Sequence, residues 1–370
     1  MSSWSLTEAD LKAIAAGAGI LGTGGGGNPY LAYLMAREQL RAGRQICVID
    51  PDDLSDDDLV LPLGGIGAPT VGVERIDNGD EGERLVKMIE RVTDQEITAL
   101  IADEIGGGNS IAPMIAAAAL GLPVVDGDGM GRAFPETQMT SFFIYGQPVS
   151  PSAITDATGN ALIVTEATSA DQLEKMMRAA TVTMGCAAMM STPPMAGDFV
   201  RRFAIPRTVR LAWTLGSAVN TALENKTDPI EAILQQTEGK LLIKGKVIDV
   251  ERRVVSGFVR GVISIEGIDE DRYRQLKIDL QNEYLMATED GKQHAMVPDL
   301  ICIVDLETGR SIGTEEQRYG LRVAVLVLPA PELLTTSVAL DAVGPRAFGY
   351  DFDFVPMAQN TELSKLKRDK

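Results

Sequence analysis

Carboxylates crowd two glycine-rich stretches of this chain, in a pattern suited to moving protons around a small polar ligand. Asp103 and Glu104 open "ADEIGGGNS", while Asp126, Asp128, Arg132 and Glu136 fall within the thirteen residues of "VVDGDGMGRAFPE". A third stretch, "LPLGGIGAP", carries no charge but leaves the backbone free to approach a ligand closely. A fourth, "LGTGGGGNPY", places Thr23, Gly24, Gly25, Gly26, Gly27 and Asn28 ahead of a helical run. Exposed amides at that helix start favour a carboxylate, an oxyanion or a polarised carbonyl. The loop ends without a Gly-Lys-Ser/Thr triplet and follows a helix rather than a strand, so neither the nucleotide-triphosphate loop nor the dinucleotide fingerprint fits. A bare helix-helix linker would not need four glycines, whose ordering costs entropy.

The other reactive side chains are few. Cys186, in "TVTMGCAAMMSTPPM", has two readings: a packed core thiol, or a thiolate activated by amide dipoles near a helix end. Cys47 and Cys302 lie inside apolar strand-like runs and read as core. His294, the single histidine, stands beside the "EDGK" turn and reads as a surface residue. With one histidine the usual mononuclear zinc site is unsupported, and the chemistry falls to carboxylates, backbone amides or a thiol. Asp126-x-Asp128 offers hard oxygen ligands, so a divalent metal stays open, although the calcium-hand loop pattern is incomplete. For "EIGGGNSIAP" the plainer reading is a strand-to-helix turn with Asn109 or Ser110 as helix cap; the sharper one adds a ligand contact from Glu104 and the free amides.

The elements that must position these residues follow from pattern. Thr7 caps a helix over 7–20, and Asn28 with Pro29 begins another over 29–42. Short apolar runs at 46–50, 59–63, 97–103 and 122–126 alternate with helical stretches at 81–92 and 110–120, and a further strand (161–167) and helix (170–180) follow. This alternation predicts a three-layer α/β domain over residues 1–168 with a mostly parallel sheet, whose strand ends carry the acidic glycine-rich rim. Beyond two helices at 206–224 and 228–237, long β-rich runs with turns at "EDGK" and "LETG" predict hairpins. Residues 169–370 thus read as an α+β domain rich in antiparallel strands, ending in a solvated tail, "LSKLKRDK".

Composition excludes several partners. The chain has 370 residues and a formal charge of −18, which repels nucleic-acid phosphates and anionic membranes. No apolar run spans a bilayer and the first ten residues lack a signal-peptide pattern, so a cytoplasmic protein is expected. Three dispersed cysteines suit a reducing compartment. The expected partner is a small-molecule substrate, with no cofactor, no nucleic acid and no membrane; self-association into a homo-oligomer is left open.

Five segments in this order, "ILGTGGGGNPY", "EIGGGN", "LPVVDGDGMGRAFPE", "QNEYLMA" with "PDLICIVDLETG", and "GPRAFGYDFDFVP", resemble the S-methyl-thiohydantoin desulfurase-like family, which is linked to hydantoinase-type proteins. The resemblance runs from about residue 8 to residue 356. It implies a two-domain fold of the kind deduced above and hydrolysis at the amidine-like carbon of a five-membered thiohydantoin ring, releasing a thiol. Under that resemblance Cys186 is the candidate nucleophile, Asp128 or Glu104 handles protons, and residues 23–28 bind a carbonyl or carboxylate beside Asn109, Asp126, Arg132 and Glu136. The competing reading is a non-catalytic binding or partner subunit of a hydantoinase-type enzyme.

Overall fold

The computed structural model describes residues 3–255 and 258–360. The expected tail at 363–370 lies outside the described residues. The first helix, Glu8–Leu21, opens on a reciprocal cap: Thr7 Oγ1 accepts from the Asp10 amide, and the Asp10 carboxylate accepts from the Thr7 amide. One face of this helix packs on Thr208–Asn225, which lies nearly two hundred residues later in the chain. Glycines make the contact: a Cβ at Gly17 would overlap the Ala212 carbonyl, and one at Gly216 would overlap the Ala13 carbonyl. Trp213 Nε1 then donates to Asp10 Oδ1 at 2.8 Å, tying the later helix to the cap of the earlier one.

The first sheet runs Trp4–Ser5, Cys47–Ile49, Val124–Asp128, Ala99–Ala102, Leu59–Gly67, Ala187–Ser191, Ser152–Thr155, Ala161–Val164. The four strands from Cys47–Ile49 to Leu59–Gly67 are mutually parallel. Ala99–Ala102 and Val124–Asp128 are buried along their whole length, as strands covered by helices on both faces must be. The flanking strands are antiparallel, and three short segments from later in the chain, Ala187–Ser191, Met195–Ala196 and Ile205–Pro206, also join this sheet. The alanine-rich helix Ala112–Leu120 fits beneath it because small side chains allow close approach on nearly every side.

The second sheet is antiparallel throughout: Lys292–Met296, Glu283–Glu289, Gln275–Gln281, Phe258–Gly267, Lys240–Val255, Arg322–Leu328, Leu300–Asp305. The "EDGK" turn closes a hairpin, with Asp290 and Gly291 at φ of 50° and 75°, the left-handed pair that a tight β-hairpin requires. The "LETG" turn closes on a single bridge between Val304 and Ser311, and the long partner of its first strand is Arg322–Leu328.

Two-residue alternation assigns this sheet's faces. Leu300, Cys302, Val304, Ala324, Leu326 and Leu328 join the core shared with Glu8–Leu21 and the first sheet, whereas Ile301, Ile303, Val323, Val325 and Val327 enter the second core. Cys302 is core as expected, but Cys47 is only half-buried. His294 is corrected from surface to interior: strand pairing extends through Lys292–Met296, so His294 turns inward, with Nε2 3.5 Å from Glu289 Oε2. Among the described residues no helix is long and apolar enough to cross a membrane.

Candidate active site

The glycine loop is clamped. Leaving Glu8–Leu21 at Gly22, the chain takes φ values of 49° at Thr23, 92° at Gly24, 79° at Gly26 and 78° at Gly27, left-handed positions that the three glycines among them enter without strain. Its carbonyls are spoken for: Thr23 O accepts from the Tyr284 amide, Gly24 O from Thr314, Gly26 O from Asn109 and Gly27 O from Gly108. A Cβ at Gly24 would lie 2.7 Å from the Tyr284 ring; at Gly25 it would overlap Glu283 Oε1, and at Gly26 the Gly106 carbonyl. The four glycines therefore let one turn touch both the 105–110 loop and the start of a C-terminal strand.

Asp103 and Glu104 follow the buried strand Ala99–Ala102 and project into a cavity of about 210 Å³ at the carboxyl end of the parallel strands. Gly26, Gly27 and Asn28 form one wall, Gly64 to Gly67 a second, and Asn109, Glu136 and Glu283 stand around the rest. Burial pushes the Asp103 carboxyl up to about 7, against the downward pull of the nearby Thr192 hydroxyl and with a smaller repulsion from Asp128. The Thr192 hydroxyl makes no hydrogen bond of good geometry, and both Asp103 carboxyl oxygens are unpartnered. Glu104 rises to about 8, again chiefly through burial, even though Oε1 accepts from Asn109 Nδ2 at 2.6 Å and Oε2 from the Phe134 amide at 3.1 Å. Asn109 uses its other end on the Gly65 amide at 2.8 Å, so it bridges two walls of the cavity. It is not the helix cap expected of Asn109 or Ser110: Ala112–Leu120 starts at Ile111 without a side-chain cap, after a short 3-10 turn at Gly107–Ser110.

Glu283, from the segment "QNEYLMA", is the acid that reading the residues one by one missed. Burial and the neighbouring Glu104 raise its carboxyl well above the usual range, Arg132 opposes them, and Oε2 is unpartnered. A single glutamate on an apolar strand carries no local signal; only its place within that segment marked it. The cation at the cavity is Arg178, which also escaped the sequence reading. It ion-pairs with Glu174, donates to the Pro135 carbonyl at 3.0 Å and lies over the Phe258 ring.

Several expected site residues lie elsewhere. Arg132 is fully buried and spends its guanidinium inside the protein: on Thr23 Oγ1 and on the carbonyls of Ala133, Tyr284 and Asp299. It fixes the loop and does not line the cavity, and the same holds for Thr23. Asp128 holds its loop together, Oδ2 accepting from the amides of Ile105, Met130 and Gly131 at 2.8, 2.9 and 2.7 Å. Burial still lifts it to about 7. Asp126 does not line the cavity either: it pairs with the Arg210 guanidinium and accepts from the Arg210 amide. Gly24 and Gly25 border a different cavity. Among the described residues no group of three or more His, Cys, Asp or Glu is arranged to hold a metal ion. The geometry thus brings together Gly26, Gly27, Asn28, Glu104, Asn109 and Glu136, and adds Asp103 and Glu283.

The sequence matches two family models end to end, the S-Me-THD-like N-terminal domain over residues 9–166 and the S-Me-THD-like C-terminal domain over residues 168–357. This chain belongs to the S-Me-THD-like family. An X-ray crystal structure of a protein from Chromobacterium violaceum is similar over 96% of this chain and 100% of that one, at 22% identity and a TM-score of 0.78. That likeness carries the fold alone. No curated protein matches the chain. For this S-Me-THD-like chain the thiol expected as nucleophile is placed unfavourably. Cys186 follows the C-terminal end of the helix Ala170–Thr183, the wrong end for dipole activation, at φ 68°. Its neighbours Gly67 and Ala187 line the cavity and Cys186 does not.

Proposed function

We propose that this protein hydrolyses a small five-membered cyclic amide or thioamide of the hydantoin or S-methyl-thiohydantoin type, using water activated by buried carboxyls. The observation that carries this reading is the adjacent pair Asp103 and Glu104 in one cavity, one carboxyl raised to about 7 with both oxygens unpartnered, the other raised to about 8 and held by Asn109. Near neutral pH such a pair supplies a carboxylate base and a carboxylic acid side by side. Family membership supports the substrate class.

For a ring carbon bearing a methylthio group and doubly bonded to nitrogen, ionised Asp103 takes one proton from water as its oxygen attacks the carbon. Glu104 gives its proton to the ring nitrogen. The tetrahedral intermediate then collapses: the new C–O–H returns its proton to Glu104, the C–S bond breaks, and the sulfur leaves with the proton held by Asp103. One water is consumed, one thiol is released, the carbon becomes a carbonyl, and both carboxyls return to their starting states. Amides on the Gly26–Asn28 wall are suited to a ring carbonyl.

Released thiol and ring product are followed for a panel of S-methyl-thiohydantoins and hydantoins with the purified protein. Asp103→Asn and Glu104→Gln each lower kcat by about 10²-fold or more, the range for losing one proton-transfer group, and Cys186→Ala leaves it within about twofold. Full turnover by both carboxyl variants would falsify the carboxylate route, and loss of turnover in Cys186→Ala alone would return the nucleophile role to the thiol. Saturable binding with no turnover by the unaltered protein would favour the binding-subunit reading.

A further inference from the structure

The glycine loop has a second face that the proposed reaction does not use. Gly24, Gly25, Gly27 and Asn28 border another cavity, of about 410 Å³, so Gly27 and Asn28 separate it from the acidic one. Its chemistry is different. Tyr30 and Tyr33, from the first two turns of the helix Pro29–Arg41, stand with ring centroids 6.1 Å apart and planes at 37°. Arg37 lies over the Tyr33 ring, whereas Tyr30 is 62% exposed and free to receive a planar group. Lys12, from Glu8–Leu21, and Arg310, beyond the strand Leu300–Asp305, bring two cations.

Those cations are uncommitted. Arg207, Arg274 and Arg346 each hold two carboxylates, but among the described residues neither the Lys12 ammonium nor the Arg310 guanidinium has an ion-pair or hydrogen-bond partner. Two acids share the cavity without pairing with them. Glu316 Oε2 accepts from the Gly313 amide at 2.9 Å, and Glu315, whose Oε2 is unpartnered, is raised by burial. In a chain of formal charge −18, two cations without a carboxylate partner stand here beside a tilted tyrosine pair, and with Glu315 and Glu316 they keep the cavity lining formally neutral instead of acidic.

We propose that this second cavity binds a planar organic anion, an aromatic or heteroaromatic ring bearing a carboxylate, with the ring on Tyr30 and the carboxylate on Lys12 and Arg310. Aromatic faces supply the stacking and Arg310 a bidentate fork.

Benzoate is the probe, titrated calorimetrically at low ionic strength, with benzamide as the isosteric neutral control. Saturable benzoate binding is expected, weakened about tenfold or more in Lys12→Gln/Arg310→Gln and by a similar factor in Tyr30→Ala, with benzamide at least tenfold weaker than benzoate. Amide hydrogen exchange in residues 22–31 slows with benzoate in the unaltered protein and not in the double variant. Neither variant touches the packed core, and circular dichroism confirms folding. No saturable binding of benzoate, equal affinity for benzamide, or unchanged affinity in the double variant would each overturn the proposal. None of these readouts depends on turnover at the acidic cavity.

Discussion

Arg132 Nη2 donates to Thr23 Oγ1 at 2.8 Å and to the Tyr284 carbonyl at 2.9 Å, joining residues 109 and 152 positions apart. This guanidinium is fully buried, which pulls its pKa down to about 10, yet it stays charged at neutral pH because every edge of it meets an acceptor. The glycine loop is therefore anchored from below, and the cavity wall it forms inherits that rigidity. Removing the guanidinium leaves several carbonyls and the Thr23 hydroxyl without a donor in a dry interior. Arg132→Met should cost about 3–5 kcal/mol in urea unfolding. Thr23→Val removes one charged hydrogen bond, and about 1.5–3 kcal/mol is expected. Equal stability of Arg132→Met and the unaltered protein would show the clamp to be dispensable.

The proposed acid-base pair sets the shape of the pH profile. Asp103 works ionised and Glu104 protonated, so kcat/KM should form a bell, falling below about 7 as Asp103 gains a proton and above about 8 as Glu104 loses one. The two carboxyls repel each other, and the limbs report the pair as a unit. Asn109 donates to Glu104 and holds its pKa down. Asn109→Ala should therefore move the alkaline limb to higher pH while leaving the acid limb in place. A profile flat from pH 6 to 9 would rule out this assignment.

The same burial has a stability consequence of definite sign. Folded Asp103 holds its proton up to about 7, whereas an unfolded aspartate releases it near 3.8. Between those values the native state binds more protons, so this contribution, complete below 3.8, is lost as pH rises through 7. Glu104 and Asp128 act in the same direction. Asp103→Asn keeps the shape without the titration. It should match the unaltered protein near pH 4 and exceed it near pH 8 by on the order of a few kcal/mol. Denaturant midpoints measured across that range give the comparison, and a difference independent of pH would contradict the buried-carboxyl account.

Gly26 and Gly27 share nearly the same backbone conformation, with φ of 79° and 78°, but not the same surroundings. A methyl at Gly26 would overlap the Gly106 carbonyl, while one at Gly27 meets nothing within 4 Å. Alanine at Gly27 carries only left-handed strain, about 1–2 kcal/mol. At Gly26 it must also push the loop away from residues 106–107, so a larger stability loss and at least a tenfold drop in ligand affinity at the acidic cavity are expected. Thermal melts and binding titrations of the two variants separate strain from steric displacement; similar losses at both positions would mean that close approach does not matter.

Local pattern and local chemistry were enough to read the two halves, the parallel strands with acidic glycine-rich ends, the Thr7 and Asn28 caps, and the family. Period-two and helical apolar spacing report which faces are buried, and capping residues act within three positions, so both are written in the nearest neighbours. What only the tertiary structure decided is direction. Asp126 and Asp128 stand two apart on one strand, yet Asp126 goes to Arg210 and Asp128 to two backbone amides of its own turn and to that of Ile105 in the neighbouring loop, while Asp103 goes to the cavity. Arg132, attractive in sequence as a ligand contact, is consumed by acceptors from distant segments. Cys186 falls at the C-terminal side of its helix, and Glu283 arrives from a strand that sequence marks only as apolar. Whether a buried charge becomes a clamp or a catalyst depends on which acceptors reach it across the fold, and that is fixed by packing between segments far apart in the chain.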